Sequence, residues 1–386
     1  MAGPGPDDLW RTGPIWLASN RPLARFVGRP VAAFLRVEAA GGIVLLGATI
    51  AALVWANSGW SGSYETVWST DVELRVGAYA LVEDLRHWVD NGLMALFFLV
   101  VGLEIKQEMS SGELRDPRAA VVPIAAAAGG MVVPALVYAG LNAGGDGAAG
   151  WGIPMATDIA FALGVVLLFG SRLPPAARVF LLTLAIVDDV GAITVIGTFY
   201  TDDLSPGWAV AALGGVVAIL LLRRVRVWSF YPYLLAGGFV WVATYLSGIH
   251  ATIAGVVLGL LTPAKPLLDQ AQARRYARDS APQELDAGAV RRYRFLLGES
   301  VPVAERLEHT LHPWSSYLVL PLFALASAGI DLRGGVLGDA AGSPITAGVV
   351  LGLLVGKPVG VLLAAWLVVR LGLGRLPDGL GWGVLT

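Results

Sequence analysis

Long apolar segments, separated by short polar ones, run along almost the whole chain. Ten of these segments approach the roughly 20 residues that an α-helix needs to cross a bilayer. They fall at about 38–56, 89–107, 119–142, 152–170, 176–200, 207–222, 231–247, 249–263, 313–330 and 345–369. The pattern predicts an all-α, polytopic membrane protein with about ten spanning helices.

The distribution of basic residues indicates how the chain is oriented. If the amino terminus is inside, 23 of the 27 Lys and Arg residues lie in inner segments, three lie in outer segments, and Lys357 lies within a span. Cytoplasmic segments of membrane proteins carry this kind of excess. We therefore expect a basic cytoplasmic segment at 1–37 and a transmembrane domain at 38–380. The longest outer loop is expected at 57–88 and the longest inner loop at 264–312, which could hold a short helix.

Composition supports this assignment and removes several kinds of site. The chain is 56% hydrophobic and 15% charged, whereas a soluble domain typically carries about 25% charged residues. It contains no cysteine, which excludes disulfides, thiolate metal sites and cysteine nucleophiles. Its 49 glycines and 22 prolines suit close helix contacts and broken helices inside a bundle.

Two adjacent carboxylates, Asp188 and Asp189, lie near the middle of the span 176–200. A charged side chain at the centre of a bilayer costs about 2.5–3.5 kcal/mol, and like charges oppose each other's ionisation. Neighbouring helical residues point about 100° apart, so one carboxylate can face a cavity and the other an adjacent helix. Asp189 is the stronger candidate for a functional residue, whereas a structural and a functional role fit Asp188 equally well.

The span 152–170 begins with Pro154 and carries Thr157 and Asp158 soon after it. Proline removes a backbone donor and disturbs the preceding turn, so a helix break is expected around residues 156–158. Hard cations prefer oxygen ligands, and Thr157, Asp158 and Asp189 would form a plausible sodium site. The alternative is that the proline only starts the helix and that Asp158 lies at the outer interface.

Lys357 is central in the span 345–369. A buried lysine either loses its proton or finds a carboxylate, and Asp188 is the obvious partner. Snorkelling to the surface is the alternative, but the central position disfavours it.

Polar residues near the inner surface form a second group of candidates. Glu104 and Glu108 are spaced i, i+4 and share a helix face, which is either an ordinary helix end or part of a funnel that attracts cations. His250, His309 and His312 could titrate near neutral pH, although a lone histidine more often has a structural role. Glu308 lies next to His309.

Six stretches carry a resemblance to a known family. They are FFLVVGLEIKQE at 97–108, MATDIAFALG at 155–164, LAIVDDVGAI at 184–193, SGIHATIAGVVLG at 247–259, RLEHTLHPW at 306–314 and LVGKPVG at 354–360. In combination and order they resemble the bacterial NhaA-type sodium/proton antiporters over roughly residues 38–380. The resemblance implies an inverted-repeat bundle with interrupted, crossing helices.

The resemblance also implies a function and roles for the candidate residues. It implies electrogenic, pH-regulated export of sodium or lithium in exchange for external protons across the bacterial inner membrane, by alternating access. It implies that Asp189 and Asp188 form the ion and proton site, that Thr157 and Asp158 lie at the helix crossing, and that Lys357 balances the charge. The pH-sensing funnel would include the residues Glu104, Glu108, His250, Glu308 and His309.

The expected partners are few. They are the transported sodium, lithium and protons, membrane lipid and a second copy of the chain in a homodimer, with no cofactor and no nucleic acid. Family members continue through two more helices, so residues 381–386 resemble the first turn of a truncated helix. The 386-residue chain alone is therefore expected to be inactive.

Three other classes of membrane protein fit the sequence less well than an antiporter. An ion channel would need no paired titration, and the chain has no repeated filter sequence. An intramembrane aspartyl protease holds its two aspartates on separate helices in a GxGD context, whereas Asp188 and Asp189 are adjacent. A non-transporting scaffold would not retain four charges at membrane depth.

Overall fold

The computed structural model describes most of the transmembrane region. The described residues are 21–22, 25–26, 40–76, 79–112, 117–157, 174–201, 204–225, 227, 230–266, 268–269, 271–272, 274–275, 286–376 and 379–385. Two predicted segments are therefore largely outside the described part: most of the basic segment 1–37, and residues 158–170 of the span 152–170, which include Asp158.

Helices dominate the described residues. They are α1 Ala40–Asn57, α2 Ser61–Trp68, α3 Leu85–Ser111, α4 Pro117–Asn142, α5 Pro175–Phe199, α6 Pro206–Arg224, α7 Phe230–Leu246, α8 Thr252–Leu261, α9 Ala287–Glu299, α10 over residues 303–327, α11 Val336–Gly342, α12 Pro344–Arg370 and α13 Trp382–Leu385. Strands β1 Asp71–Val76 and β2 Tyr79–Asp84 lie between α2 and α3, and a 3-10 helix, Ala148–Met155, lies between α4 and α5.

Local sequence explains several of the helix boundaries. Pro175, Pro206 and Pro344 are the first residues of α5, α6 and α12, where proline fits because the first helical N–H has no partner within the helix. The Ser343 side chain also caps α12, accepting a hydrogen bond from the backbone N–H of Ile345. These residues define where three of the long apolar helices begin.

Six described helices are long and apolar enough to cross a membrane. They are Ala40–Asn57, Leu85–Ser111, Ala120–Asn142, Val179–Phe199, Pro206–Arg224 and Pro344–Arg370. Each coincides with one of the predicted spans, and α7, with 17 residues, coincides with another. Large apolar side chains on these helices are exposed, among them Leu136 at 65% and Leu235 at 75%. The chain is therefore a multi-pass membrane protein.

Two predicted spans differ from the structure in their limits. The window 249–263 contains only the ten-residue helix α8, which at 1.5 Å per residue is about 15 Å long and covers half a bilayer. The chain turns at Gly248, which has a φ of +82°, and residues 249–251, between this turn and the start of α8, are not helical. The window 313–330 belongs to α10, which already begins at Val303, so residues 303–312 are helical and are not part of the inner loop.

The sequence predicted only an outer loop at 57–88, but this segment contains helix α2 and the strands β1 and β2. Strands β1 and β2 form an antiparallel hairpin in which Leu74 pairs with Leu81. Trp88 at the start of α3 holds the hairpin, since its indole N–H donates to the carbonyl of Val72 at 3.0 Å. The Tyr245 hydroxyl of α7 donates to the carboxylate of Glu83 on β2. The hairpin is thus attached to one end of the helical bundle.

Small residues let the central helices approach closely. On α12, Gly352, Gly356 and Gly360 are spaced four residues apart and face α4, where Gly129 and Gly360 each lie against the other's carbonyl oxygen. Glycines at this spacing allow helix backbones in membranes to come into contact. Helices α3 and α8 are also in close contact at a glycine, since a Cβ atom added at Gly102 would lie 2.6 Å from the carbonyl oxygen of Val256.

Gly102→Ala is expected to lower the free energy of unfolding by about 1–3 kcal/mol, the usual cost of overpacking a well-packed core. The atoms nearest to the added methyl group belong to the backbone of α8 and cannot rotate away. Gly214→Ala in α6 is the control, because no atom lies within 4 Å of its added Cβ. Thermal unfolding in detergent measures both variants, and equal unfolding temperatures would contradict the packing argument.

Candidate functional site

Three elements meet at the centre of the bundle: the end of the 3-10 helix, the middle of α5 and the middle of α12. The 3-10 helix contains Pro154 and ends at Met155, after which Ala156 has extended backbone with φ −85° and ψ 148°. The break expected from Pro154 is therefore present. Tyr200 at the end of α5 holds the 3-10 helix, because its hydroxyl donates to the carbonyl of Ala149 at 2.7 Å.

Asp188 of α5 lies at the point where these elements meet and is completely buried, with 0% exposure. Its Oδ2 atom accepts hydrogen bonds from Lys357 Nζ at 2.7 Å, from Thr157 Oγ1 at 2.9 Å and from the Thr157 backbone N–H at 3.2 Å. The partner that the sequence suggested for Lys357 is thus the one observed. One carboxylate oxygen ties α5 to both α12 and the broken segment.

Lys357 makes a second contact that sequence reasoning missed. Its Nζ atom donates to the carbonyl oxygen of Met155 at 2.5 Å. Met155 is the last residue of the 3-10 helix, and carbonyls at helix ends have no partner within the helix. The Pro154 break could have suggested a free carbonyl here, but not which side chain would reach it.

The helix around Lys357 is itself irregular. Residues Gly352–Gly356, directly before the lysine, are π-helical, and such π-bulges occur frequently at functional sites. Gly352 packs against Pro154, since a Cβ atom added at Gly352 would lie 2.9 Å from the Cβ atom of that proline. The bulge and the break are therefore in direct contact and together position the ammonium group.

The other oxygen of Asp188 has a different environment. Oδ1 is buried and has no hydrogen-bond partner within the described part of the chain. Asp189 follows it on α5 and is partly exposed. A buried carboxylate oxygen without a donor is costly, and either a proton or a cation would relieve that cost. Asp158, the remaining carboxylate of the predicted sodium site, lies outside the described residues.

Comparisons with known proteins identify the family of this chain. The model of the family Na+/H+ antiporter 1 matches residues 32–386. The chain belongs to this family. It is 46% identical to the Na(+)/H(+) antiporter NhaA of Rhodopirellula baltica over 95% of this chain and 84% of that protein. It is 47% identical to Na(+)/H(+) antiporter NhaA 2 of Sorangium cellulosum, over 99% and 84% of the two chains.

A third relative shows the same similarity over a slightly smaller part of its length. Na(+)/H(+) antiporter NhaA 3 of Frankia alni is 47% identical over 93% of this chain and 78% of that protein. Membership of the NhaA-type family therefore applies to nearly the whole chain.

In this family member, the structure brings together only some of the predicted funnel residues. Glu104 of α3 and Glu308 of α10 lie in one cluster, and His312 of α10 completes it. His309 is exposed and not part of this cluster, and Glu108 lies one helical turn beyond Glu104.

His250 lies apart from the cluster of Glu104, Glu308 and His312. Its Nε2 atom lies 3.1 Å from the carbonyl oxygen of Tyr200, at the end of α5, and it precedes the start of α8 at Thr252. Glu104 instead lies beside the far end of α8, because Gly102 contacts Gly259. The histidine therefore lies at the other end of α8 from Glu104, next to the turn at Gly248.

Proposed function

We propose that this protein exchanges cytoplasmic sodium or lithium for external protons, with Asp189 and Asp188 as the competing site. The observation that carries the proposal is the buried Asp188 carboxylate, held on one oxygen by Lys357 and Thr157 and without a donor on the other. The names of the similar proteins, which are antiporters of sodium and protons, support it.

The mechanism is competition for the same oxygens. A proton or a sodium ion can neutralise the Asp188–Asp189 region, but both cannot occupy it fully. Protons taken up from the outside would release the cation, and sodium arriving from the inside would release the protons. Rocking of one helix group against another would alternate access to the site. Asp158 and Thr157 would supply further oxygen ligands to sodium.

Electrogenic exchange requires a second titrating group beside Asp189. The Asp188–Lys357 pair carries no net charge while both groups are ionised, and it can take up a proton only if the ion pair opens. Opening it at each cycle would move two protons against one sodium ion. The membrane potential then contributes about 2.3 kcal/mol per net charge for each 100 mV.

The proposed setting is the plasma membrane of a bacterium, with the amino terminus in the cytoplasm. The excess of basic residues in the inner segments supports this orientation. Regulation by pH would involve Glu104, Glu308 and His309 with Glu108 near the inner surface. The hairpin β1–β2 would join two copies in a homodimer, because its apolar residues Leu74 and Val82 are 51% and 52% exposed.

Everted membrane vesicles with an imposed pH gradient test the exchange directly. Vesicles that contain the protein are expected to lose the gradient when sodium is added, over a limited range of pH. A cation channel would pass sodium without proton counterflow and would leave the gradient in place.

A further inference from the structure

A second polar cluster lies away from Asp188, between α3 and α10. It contains the carboxylates of Glu104 and Glu308 and the imidazole of His312, and one possible ligand atom of each lies within 4.8 Å of the others. Glu308 and His312 are spaced i, i+4, so they project from the same face of α10. Glu104 faces them from α3, which packs against α10.

The charges of this cluster are not balanced locally. Among the residues that the structure describes, the Glu104 carboxylate has neither a hydrogen bond nor a salt bridge, although it is partly buried. Arg306 is the basic residue nearest in sequence to Glu308, but it pairs with Glu299 of α9 at 3.2 Å. Two carboxylates that are close together and partly buried favour a bound cation, and the exposed His312 leaves the cluster open to the surface of the molecule.

The combination of ligands points to a transition metal. Imidazole and carboxylate suit Zn²⁺, which commonly takes three protein ligands and a water molecule at about 2.0–2.2 Å. Calcium and magnesium prefer more ligands, all of them oxygen. Zinc would require the ligand atoms to approach to about 3.4 Å of each other, and rotation of the long glutamate side chains can provide this.

We propose that Glu104, Glu308 and His312 bind Zn²⁺, and that the bound ion slows transport. The ion would connect α3 to α10 across their contact and so oppose any movement of one helix relative to the other. The inhibition rests on the proposed antiport, whereas binding of the ion does not. Zinc in the cytoplasm would then act as a regulator of the protein.

Isothermal titration of purified protein with zinc chloride tests the binding. The polyhistidine tag must be removed, because it would bind zinc itself. One equivalent is expected to bind. His312→Gln should weaken binding by more than about tenfold, since even the loss of a second-shell partner costs a metal site about 10–100-fold. His309→Gln is the matched control on the same helix, and its zinc affinity should equal that of the wild type.

Glu104→Gln provides a second variant in case His312→Gln does not fold, and it should weaken binding to a similar extent. Absence of saturable binding to the wild type would overturn the proposal. Equal affinity of the wild type and a folded cluster variant would overturn it as well.

Sodium-driven proton movement in proteoliposomes tests the effect on transport. Zinc is expected to reduce the wild-type rate, a chelator should restore it, and His312→Gln should require at least about tenfold more zinc for the same fractional inhibition, following its weaker binding. Zinc binding without inhibition of a working exchanger would overturn the regulatory role. If the protein binds zinc but shows no exchange, the proposed function is contradicted, whereas the proposed metal site is supported.

Discussion

Asp189→Asn is expected to reduce sodium-dependent proton movement to the level of vesicles that lack the protein. Asparagine preserves the size of the side chain and one oxygen, but it can neither take up a proton nor carry a negative charge. Competition between protons and sodium at this position is then lost. The measurement is the collapse of an imposed pH gradient on addition of sodium, with the amount of folded protein in the membrane determined in parallel.

A polar residue of the same helix serves as the control. Thr194 follows Asp189 on α5 and is exposed, whereas Asp188 is buried, and it donates its hydroxyl to the carbonyl of Val190 at 2.7 Å. Thr194→Val is expected to retain exchange. If Asp189→Asn exchanged sodium for protons as fast as the wild type, the site would have been placed on the wrong carboxylate.

The central pair was predictable because membrane depth leaves few alternatives. Lys357 and Asp188 both lie in the middle of spans, and a buried ammonium group and a buried carboxylate must find each other or lose their charge. The break after Pro154 was predictable for a similar reason, since proline cannot supply the missing backbone donor. Local chemistry was sufficient in both cases.

Features that depend on packing between distant segments were not predictable in this way. The carbonyl of Met155 is a backbone atom, so no residue type marks it as a partner of Lys357. The hydropathy pattern predicted a full span at 249–263, where α8 covers only ten residues. Hydropathy depends on composition and does not detect the turn at Gly248. The placement of His250 at the opposite end from Glu104 followed from the same turn.

The hairpin β1–β2 illustrates another limit of the hydrophobic pattern. Strand β1, DVELRV, alternates polar and apolar residues, but β2, YALVED, does not. Each strand has only six residues, too few to stand out beside the long apolar windows. It is held by side chains of other elements, including Tyr245 of α7 and its contact with Glu83. Such contacts between segments far apart in sequence cannot be derived from either segment alone.

Removing one member of the Asp188–Lys357 pair is expected to destabilise the protein strongly. Lys357→Met leaves the Asp188 carboxylate buried, with Thr157 as its remaining donor in the described part of the chain. Breaking a buried ion pair from one side costs about 3–5 kcal/mol, because the other charge stays buried without compensation. Asp188→Asn is expected to show a loss of the same size, since it leaves the ammonium group in the same position.

The double variant Asp188→Asn with Lys357→Met distinguishes the contribution of the ion pair from the separate effects of its two charges. It leaves no unpaired buried charge, and replacing a buried pair by neutral groups is often nearly neutral for stability. The double variant should therefore lose much less stability than the sum of the two single losses, and this difference is the coupling energy of the pair. Unfolding in detergent, followed by tryptophan fluorescence, measures all four proteins. Additive losses would show that the 2.7 Å contact between Lys357 Nζ and Asp188 Oδ2 contributes little to the folded state, and that the two charges are stabilised separately.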